Sequence, residues 1–397
     1  MKRRTKHFWA MTAILIFFIF TIPNAASGAD ELDSLNDSFI ERQIESLEIE
    51  EIQQFWHEIA TKYGGFLPES QKGSLMEFLR GDKQFRIDEW GMGLVKYLLH
   101  ELLVNGKLLG SIILLSVFSV MLQSLQNAFE QKTISKVAYA ITYMVLMLIA
   151  LNSFHVAMDY TKEAISSMVH FMVALLPLLL ALMAAIGNIT SAALFHPLIV
   201  FMVNTSGMVI HHFVLPLLFI STVLSIVSTM ADHYKVTKLA NFLRTIAVGV
   251  LGVFLTVFLG IISVQGATTA VTDGITVRTA KYIAGNFVPV VGRMFTDAAD
   301  TVMSASLLLK NTVGVAGLAI LLMLCAFPAI KVLSLAVIFH ISAAILQPLG
   351  AGPITDCLSI IGKAIIFIFA SLAVVCLMFF LAITIMIVAG NASVMIR

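Results

Sequence analysis

From residue 108 to residue 390 apolar runs follow one another with very few charges between them, and this stretch limits what the chain can become. Of all residues 59% are apolar and 12% charged, which leaves too little polar surface to cover a soluble body of this size. About 20 apolar residues in a helix cross a hydrocarbon core. Runs of that length occupy 107–126, 138–158, 168–186, 245–264, 312–330 and 363–389. The run 194–230 is long enough for two spans, with a break expected near His211 and His212, and 332–349 is a short further candidate. The expected fold is an all-α polytopic membrane protein with about seven to nine transmembrane helices.

Residues 1–29 read as a secretory signal peptide: Lys2, Arg3, Arg4 and Lys6 precede an apolar core over 8–22, and small residues follow. Cleavage is expected after Ala26, Gly28 or Ala29, and an uncleaved anchor helix is the alternative. In either case Asp30 onward faces away from the cytoplasm. Removing the four cations takes the formal charge from +1 to −3. The mature chain then has no basic surplus, so nucleic acid is not expected as a partner.

Residues 30–104 form the one sizeable polar part. Ten carboxylates lie between Asp30 and Glu58 against a single cation, Arg42. Leu32, Leu35, Phe39, Ile44, Leu47 and Ile52 recur at loosely helical spacing, which predicts one or two amphipathic helices with an acidic solvent face. Gly64, Gly65 and Pro68 break that pattern. Further helices are expected over 69–79 and from 88 toward 101, making a small extracytoplasmic helical domain.

Membrane helices are then expected over 105–264 and 312–397. With the acidic domain outside, the positive-inside tendency puts Lys132, Lys136, Lys235, Lys238, Arg244, Lys331 and Arg397 inside. The segment 265–311 fits less well, since it would lie outside with Arg278, Lys281, Arg293 and Lys310. It is only mildly apolar. Phe287, Val291, Phe295, Ala298, Val302 and Ala305 mark one helical stripe, and Arg293, Thr296, Asp297, Asp300 and Ser304 the opposite one. A helix over 266–284 carries Thr268, Thr272, Thr276 and Thr279 one turn apart, and 285–289 links the two. Such a pair either lies flat on the membrane or dips back as a hairpin lining a polar cavity. Arg278, Lys281, Arg293, Asp297 and Asp300 are therefore the candidate polar path or gate.

Gly106 and Gly110 form a G-x-x-x-G at the entrance of the first span and are candidates for close helix packing. His155, His170, His196, His211 and His212 sit near expected helix ends, which suits interfacial positions better than a proton relay. No P-loop, H-E-x-x-H, G-x-S-x-G or C-x-x-C pattern occurs. Cys325, Cys357 and Cys376 are scattered in or beside spans and read as packing residues. No enzymatic activity, cofactor or metal is expected.

Several long strings resemble the stage III sporulation protein AE family of endospore-forming bacteria. They are Tyr63-Gly-Gly-Phe-Leu-Pro-Glu-Ser-Gln-Lys-Gly-Ser-Leu-Met-Glu-Phe-Leu, Asn105-Gly-Lys-Leu-Leu-Gly, Ala150-Leu-Asn-Ser-Phe-His, Ser263-Val-Gln-Gly-Ala-Thr-Thr-Ala-Val-Thr-Asp-Gly-Ile-Thr and Gly292-Arg-Met-Phe-Thr-Asp-Ala-Ala-Asp-Thr-Val. The resemblance covers nearly the whole chain and is weakest in the signal peptide and acidic helix. It implies a multi-pass subunit, in the mother-cell membrane surrounding the forespore, of a channel or secretion complex that sustains late forespore gene expression. The partners it implies are other stage III sporulation A proteins, including a cytoplasmic ATPase and ring-forming proteins, and stage II sporulation protein Q across the intermembrane space. The family supplies no catalytic residues. A stand-alone secondary transporter and a scaffold without a conduit are the rival readings.

Overall fold

The computed structural model describes residues 50–67, 73, 75–79, 87–128, 132–230, 235–287, 291–349 and 352–396. The expected signal peptide and the first part of the acidic segment lie outside these residues. Among the described residues all regular structure is helical. Three helices lead into the bundle: α1 (Glu50–Tyr63), α2 (Leu75–Leu79) and α3 (Ile87–Val104). Helix α1 stops where the sequence predicts, at Gly64-Gly65, and buries Ile52, Trp56, Ile59 and Tyr63 on one stripe. After α4 (Gly106–Ala128) come five long elements. These are α5 (Lys132–Ala185), α6 (Ile189–Val209) continued through a π-helical turn (Ile210–Val214) into α7 (Leu215–Met230), α8 (Thr237–Phe287), α9 (Val291–Leu346) and α10 (Pro353–Ile396).

The number of spans differs from the sequence expectation. Among the described residues five helices are long and apolar enough to cross a membrane, and a sixth crossing is available if α3 and α4, bent by 46° at Asn105, act together. The count of seven to nine treated neighbouring apolar runs as separate spans, but the chain does not reverse between them. Runs 138–158 and 168–186 are both on α5, and 312–330 and 332–349 are both on α9. The expected hairpin at His211-His212 is instead a π-helical turn within one continuous path. A π-turn adds a residue without reversing the chain, and hydropathy alone does not separate it from a loop. Likewise 265–311 is not a free-standing pair. Its halves are the end of α8 and the start of α9, joined at 288–290, close to the predicted link.

Each long element far exceeds a hydrocarbon core of about 30 Å. The 54 residues of α5 correspond to roughly 80 Å of helix at about 1.5 Å per residue. The bundle has a near half, toward Met230, Thr237 and Leu346, and a far half, toward Ala185 and Ile189. In the near half, the Tyr143 hydroxyl meets Thr229 Oγ1 at 2.9 Å, Ser221 Oγ donates to Ala240 O at 2.7 Å, and the Arg244 guanidinium lies over Phe367. In the far half α10 is central and buries Leu372, Val375, Phe379, Ala382, Ile383 and Met386 at helical spacing. Glycines bring α9 close to its neighbours there. A Cβ on Gly314 would stand 2.5 Å from Ile387 Cδ1, and one on Gly317 2.6 Å from Leu175 Cδ2. Small residues at such contacts let helix backbones approach closely.

Candidate functional site

The residues singled out from sequence are only partly described. Arg278 is exposed on α8. The side chains of Lys281, Arg293, Asp297 and Asp300 lie outside the described part, so the structure neither brings the five charges together nor separates them. Gly106 and Gly110 lie on α4, and a Cβ at either would have nothing within 4 Å. No described helix of this chain packs on them. His155, His170, His196 and His212 are exposed and His211 half-buried, and His155, His170, His211 and His212 lie within continuous helical paths, not at the helix ends expected from sequence.

Two polar constellations stand out instead. The first is a belt between the two halves. Asp159, Lys162 and Glu163 follow one another on α5, with His155 Nε2 3.3 Å from Asp159 Oδ2. Lys62 Nζ of α1 lies 3.3 Å from Glu163 Oε1, and Lys331 Nζ of α9 lies 3.9 Å from Glu101 Oε1 of α3 and over the Tyr160 ring. Tyr63 stacks on Phe327 with ring centroids 4.0 Å apart, and Tyr97 meets both edge-on. Burial pushes the Tyr63 phenol up from 10.0 to about 12, and the negative charge of Glu163, Glu101 and Glu58 adds to it. A cavity of about 60 Å³ lies among Glu58, Lys62, Tyr63, Tyr160, Glu163 and Lys331. It has room for a few water molecules. The exposed pairs, Lys62–Glu163 and His155–Asp159, contribute little each, about 0–1 kcal/mol, while Lys331 and Glu101 are largely buried.

The second constellation is dry and sits at the end of the far half. Helix α6 begins after Gly187, at φ 85°, a left-handed conformation that suits glycine. Its N-cap residue, Asn188, makes no side-chain cap bond. The cap comes from another helix: buried Asp273 of α8 accepts from the Thr190 N–H at 3.0 Å and the Ser191 N–H at 2.8 Å. A carboxylate against the positive end of a helix dipole is favourable. Asn188 instead points toward α10, where its Nδ2 donates to Gly390 O at 3.3 Å and its Oδ1 accepts from Ser393 Oγ at 2.5 Å. Lys310 of α9, 1% exposed, donates to Ile387 O at 3.0 Å and to Asn391 Oδ1 at 2.7 Å, near the C-terminal end of α10. A Cβ on Gly390 would collide with Lys310 Nζ.

Four helices that are distant in sequence thus end in one hydrogen-bonded network. The sequence signal was Gly390-Asn391-Ala392-Ser393, polar groups closing an otherwise apolar helix. Beyond Gly274 the described residues of α8 are exposed or half-exposed, while on α9 Ala305, Ser306 and Leu309 are buried beside Lys310. Among the described residues no group of three His, Cys, Asp or Glu side chains is placed to hold a metal ion.

A multi-helix bundle with apolar spans and no strands among its described residues defines a multi-pass membrane protein. A family model described as Stage III sporulation protein AE matches residues 70–390, and the chain belongs to that family. A curated relative from Bacillus subtilis (strain 168), named Stage III sporulation protein AE, is 61% identical over 379 residues, covering 95% of each chain. No solved structure matches.

Proposed function

We propose that this protein is a non-enzymatic integral membrane subunit of a complex joining mother cell and forespore, needed for late forespore gene expression and spore formation. It sits in the mother-cell membrane surrounding the forespore. The signal peptide exports residues 30–104, which face the space between the two membranes. Its partners are other stage III sporulation A proteins, among them a cytoplasmic ATPase and ring-forming proteins, and stage II sporulation protein Q. Membership in a sporulation family supports the setting.

The observation that carries the subunit reading is the length of the helices. A 30 Å core covers about half of a 45-residue helix. Whichever half the bilayer takes, the other still exposes apolar side chains such as Phe201 and Met208 or Leu148 and Phe242. An apolar surface of that extent outside lipid calls for protein cover. A stand-alone transporter has no such need.

The experiment is affinity purification of the tagged protein from cross-linked, detergent-solubilised sporulating cells. Recovery of the ATPase, ring proteins and forespore-side partner is expected. Recovery alone, or with itself only, defeats the reading. Charge-removing changes at Arg278, Lys281, Arg293, Asp297 and Asp300 then separate conduit from scaffold: a conduit subunit loses function while the complex still assembles.

A further inference from the structure

We infer that lipid surrounds only the near half of the bundle, between the belt and the ends bearing Lys235 and Lys238, and that the far half stands outside the bilayer on the side of α1. This rests on geometry and does not depend on the sporulation reading.

Helix α1 decides which half. Lys62 meets Glu163, and one turn-pair earlier Phe55 meets Phe171 with ring centroids 5.4 Å apart, so α1 runs antiparallel to α5 along the far half. Its 14 residues cover about 21 Å of that half. Its apolar stripe faces the bundle, while Glu50, Glu51 and His57 are exposed on its outer face and Glu58 and Lys62 lie at the edge that meets the belt. A charged side chain at mid-membrane costs at least about 2.5–3.5 kcal/mol, and α1 would place several at that depth. A bilayer is a plane, so what excludes lipid from α1 excludes it from the whole far half at that level.

The near half meets the opposite test. Its exposed surface carries Leu114, Phe118, Ile141, Leu148, Phe242 and Ile345. Exposed Lys235 and Lys238 lie toward its open end, while exposed Lys363 and half-buried Arg244 lie further in. Cations at that end fit a cytoplasmic face. From Lys331 to Leu346 on α9, and from His155 back to Val137 on α5, the near half is about 22–27 Å deep, close to a hydrocarbon thickness. Each of the five long elements then crosses once, and the bent pair of α3 and α4, taken as one span, is the sixth crossing. This registration moves Lys331 from the inner side expected from sequence to the outer boundary.

The test uses the full chain in liposomes with brominated acyl chains, which quench a fluorophore in contact with them. The three native thiols are buried, so bimane is attached through single exposed substitutions. Leu148→Cys and Phe242→Cys report the near half; Phe201→Cys and Val257→Cys report the far half level with α1. Brominated lipid should quench the first pair several-fold and leave the second unchanged, whether water or another subunit covers it. Quenching at Phe201→Cys or Val257→Cys overturns the inference, as does its absence at both near-half positions. A variant that does not elute as a single peak is replaced by its exposed neighbour Val145→Cys or Val264→Cys.

Discussion

Lys310 of α9 donates to Asn391 Oδ1 of α10 over 2.7 Å, so a lysine buried at the end of the far half is held by a neutral amide and a backbone carbonyl. Both acceptors lie near the C-terminal end of α10, where the helix dipole favours a cation. Lys310→Met should destabilise the detergent-solubilised protein by about 1–3 kcal/mol, because Asn391 and Ile387 O lose their donor in a dry site. The double change Lys310→Met/Asn391→Leu should recover part of that loss, since replacing both polar partners is less costly than orphaning one. Thermal unfolding followed by size-exclusion chromatography reads both. A double mutant no better than the single would show that the pair is not the source of stability.

Asp273 caps α6 from another helix, which ties the start of α6 to α8. Asp273→Ala removes both acceptors and should cost about 1–2 kcal/mol. Asp273→Asn keeps one acceptor and should cost less. Hydrogen exchange gives the local readout: the Thr190 and Ser191 amides should exchange faster in Asp273→Ala, with amides at the belt unaffected. Equal acceleration along all of α6 would mean global loosening instead.

The Tyr63 phenol, pushed up to about 12 by burial and by Glu163, Glu101 and Glu58, gives the belt a signature at high pH. The neutral phenol is favoured in the folded state, so its contribution is complete below pH 10. Between pH 10 and about 12 the unfolded chain has lost that proton and the folded one has not, so stability falls across that window. In Tyr63→Phe the fall should be shallower, and an absorbance titration should lose one late-ionising tyrosine. The stack on Phe327 survives that change but not Tyr63→Ala, which should cost about 3–5 kcal/mol.

Local chemistry was legible in the sequence where one residue decides it. Gly64-Gly65 ends α1, the 285–289 link overlaps the boundary between α8 and α9, and apolar composition makes a membrane bundle. Span counting failed because hydropathy measures how apolar a run is, not whether the chain turns between two runs. Asp159, Lys162 and Glu163 look like a loop between spans, yet they sit mid-helix at a level where α1 and α3 supply Lys62 and Glu101. The far-end network was hidden for a different reason. Asn188, Asp273, Lys310 and Asn391 share no sequence neighbourhood, and only the packing of four helices joins them.

Glycines on α9 and α4 should respond in opposite ways. Gly314 and Gly317 are buried where a methyl group would press on Ile387 and Leu175. Those atoms end flexible side chains, but the surrounding core is filled, and overpacking of this kind costs about 1–3 kcal/mol. Gly314→Ala and Gly317→Ala should therefore lower the unfolding temperature of the purified chain. Gly106→Ala and Gly110→Ala meet open space within the chain. Removing a glycine from a helix there should be neutral or stabilise by up to about 0.5–1 kcal/mol. If the purified variant is as stable as the parent while Gly110→Ala lowers spore yield, the face of α4 is occupied in the cell by another protein. If spore yield is unchanged as well, the G-x-x-x-G spacing is a chance feature of an apolar helix.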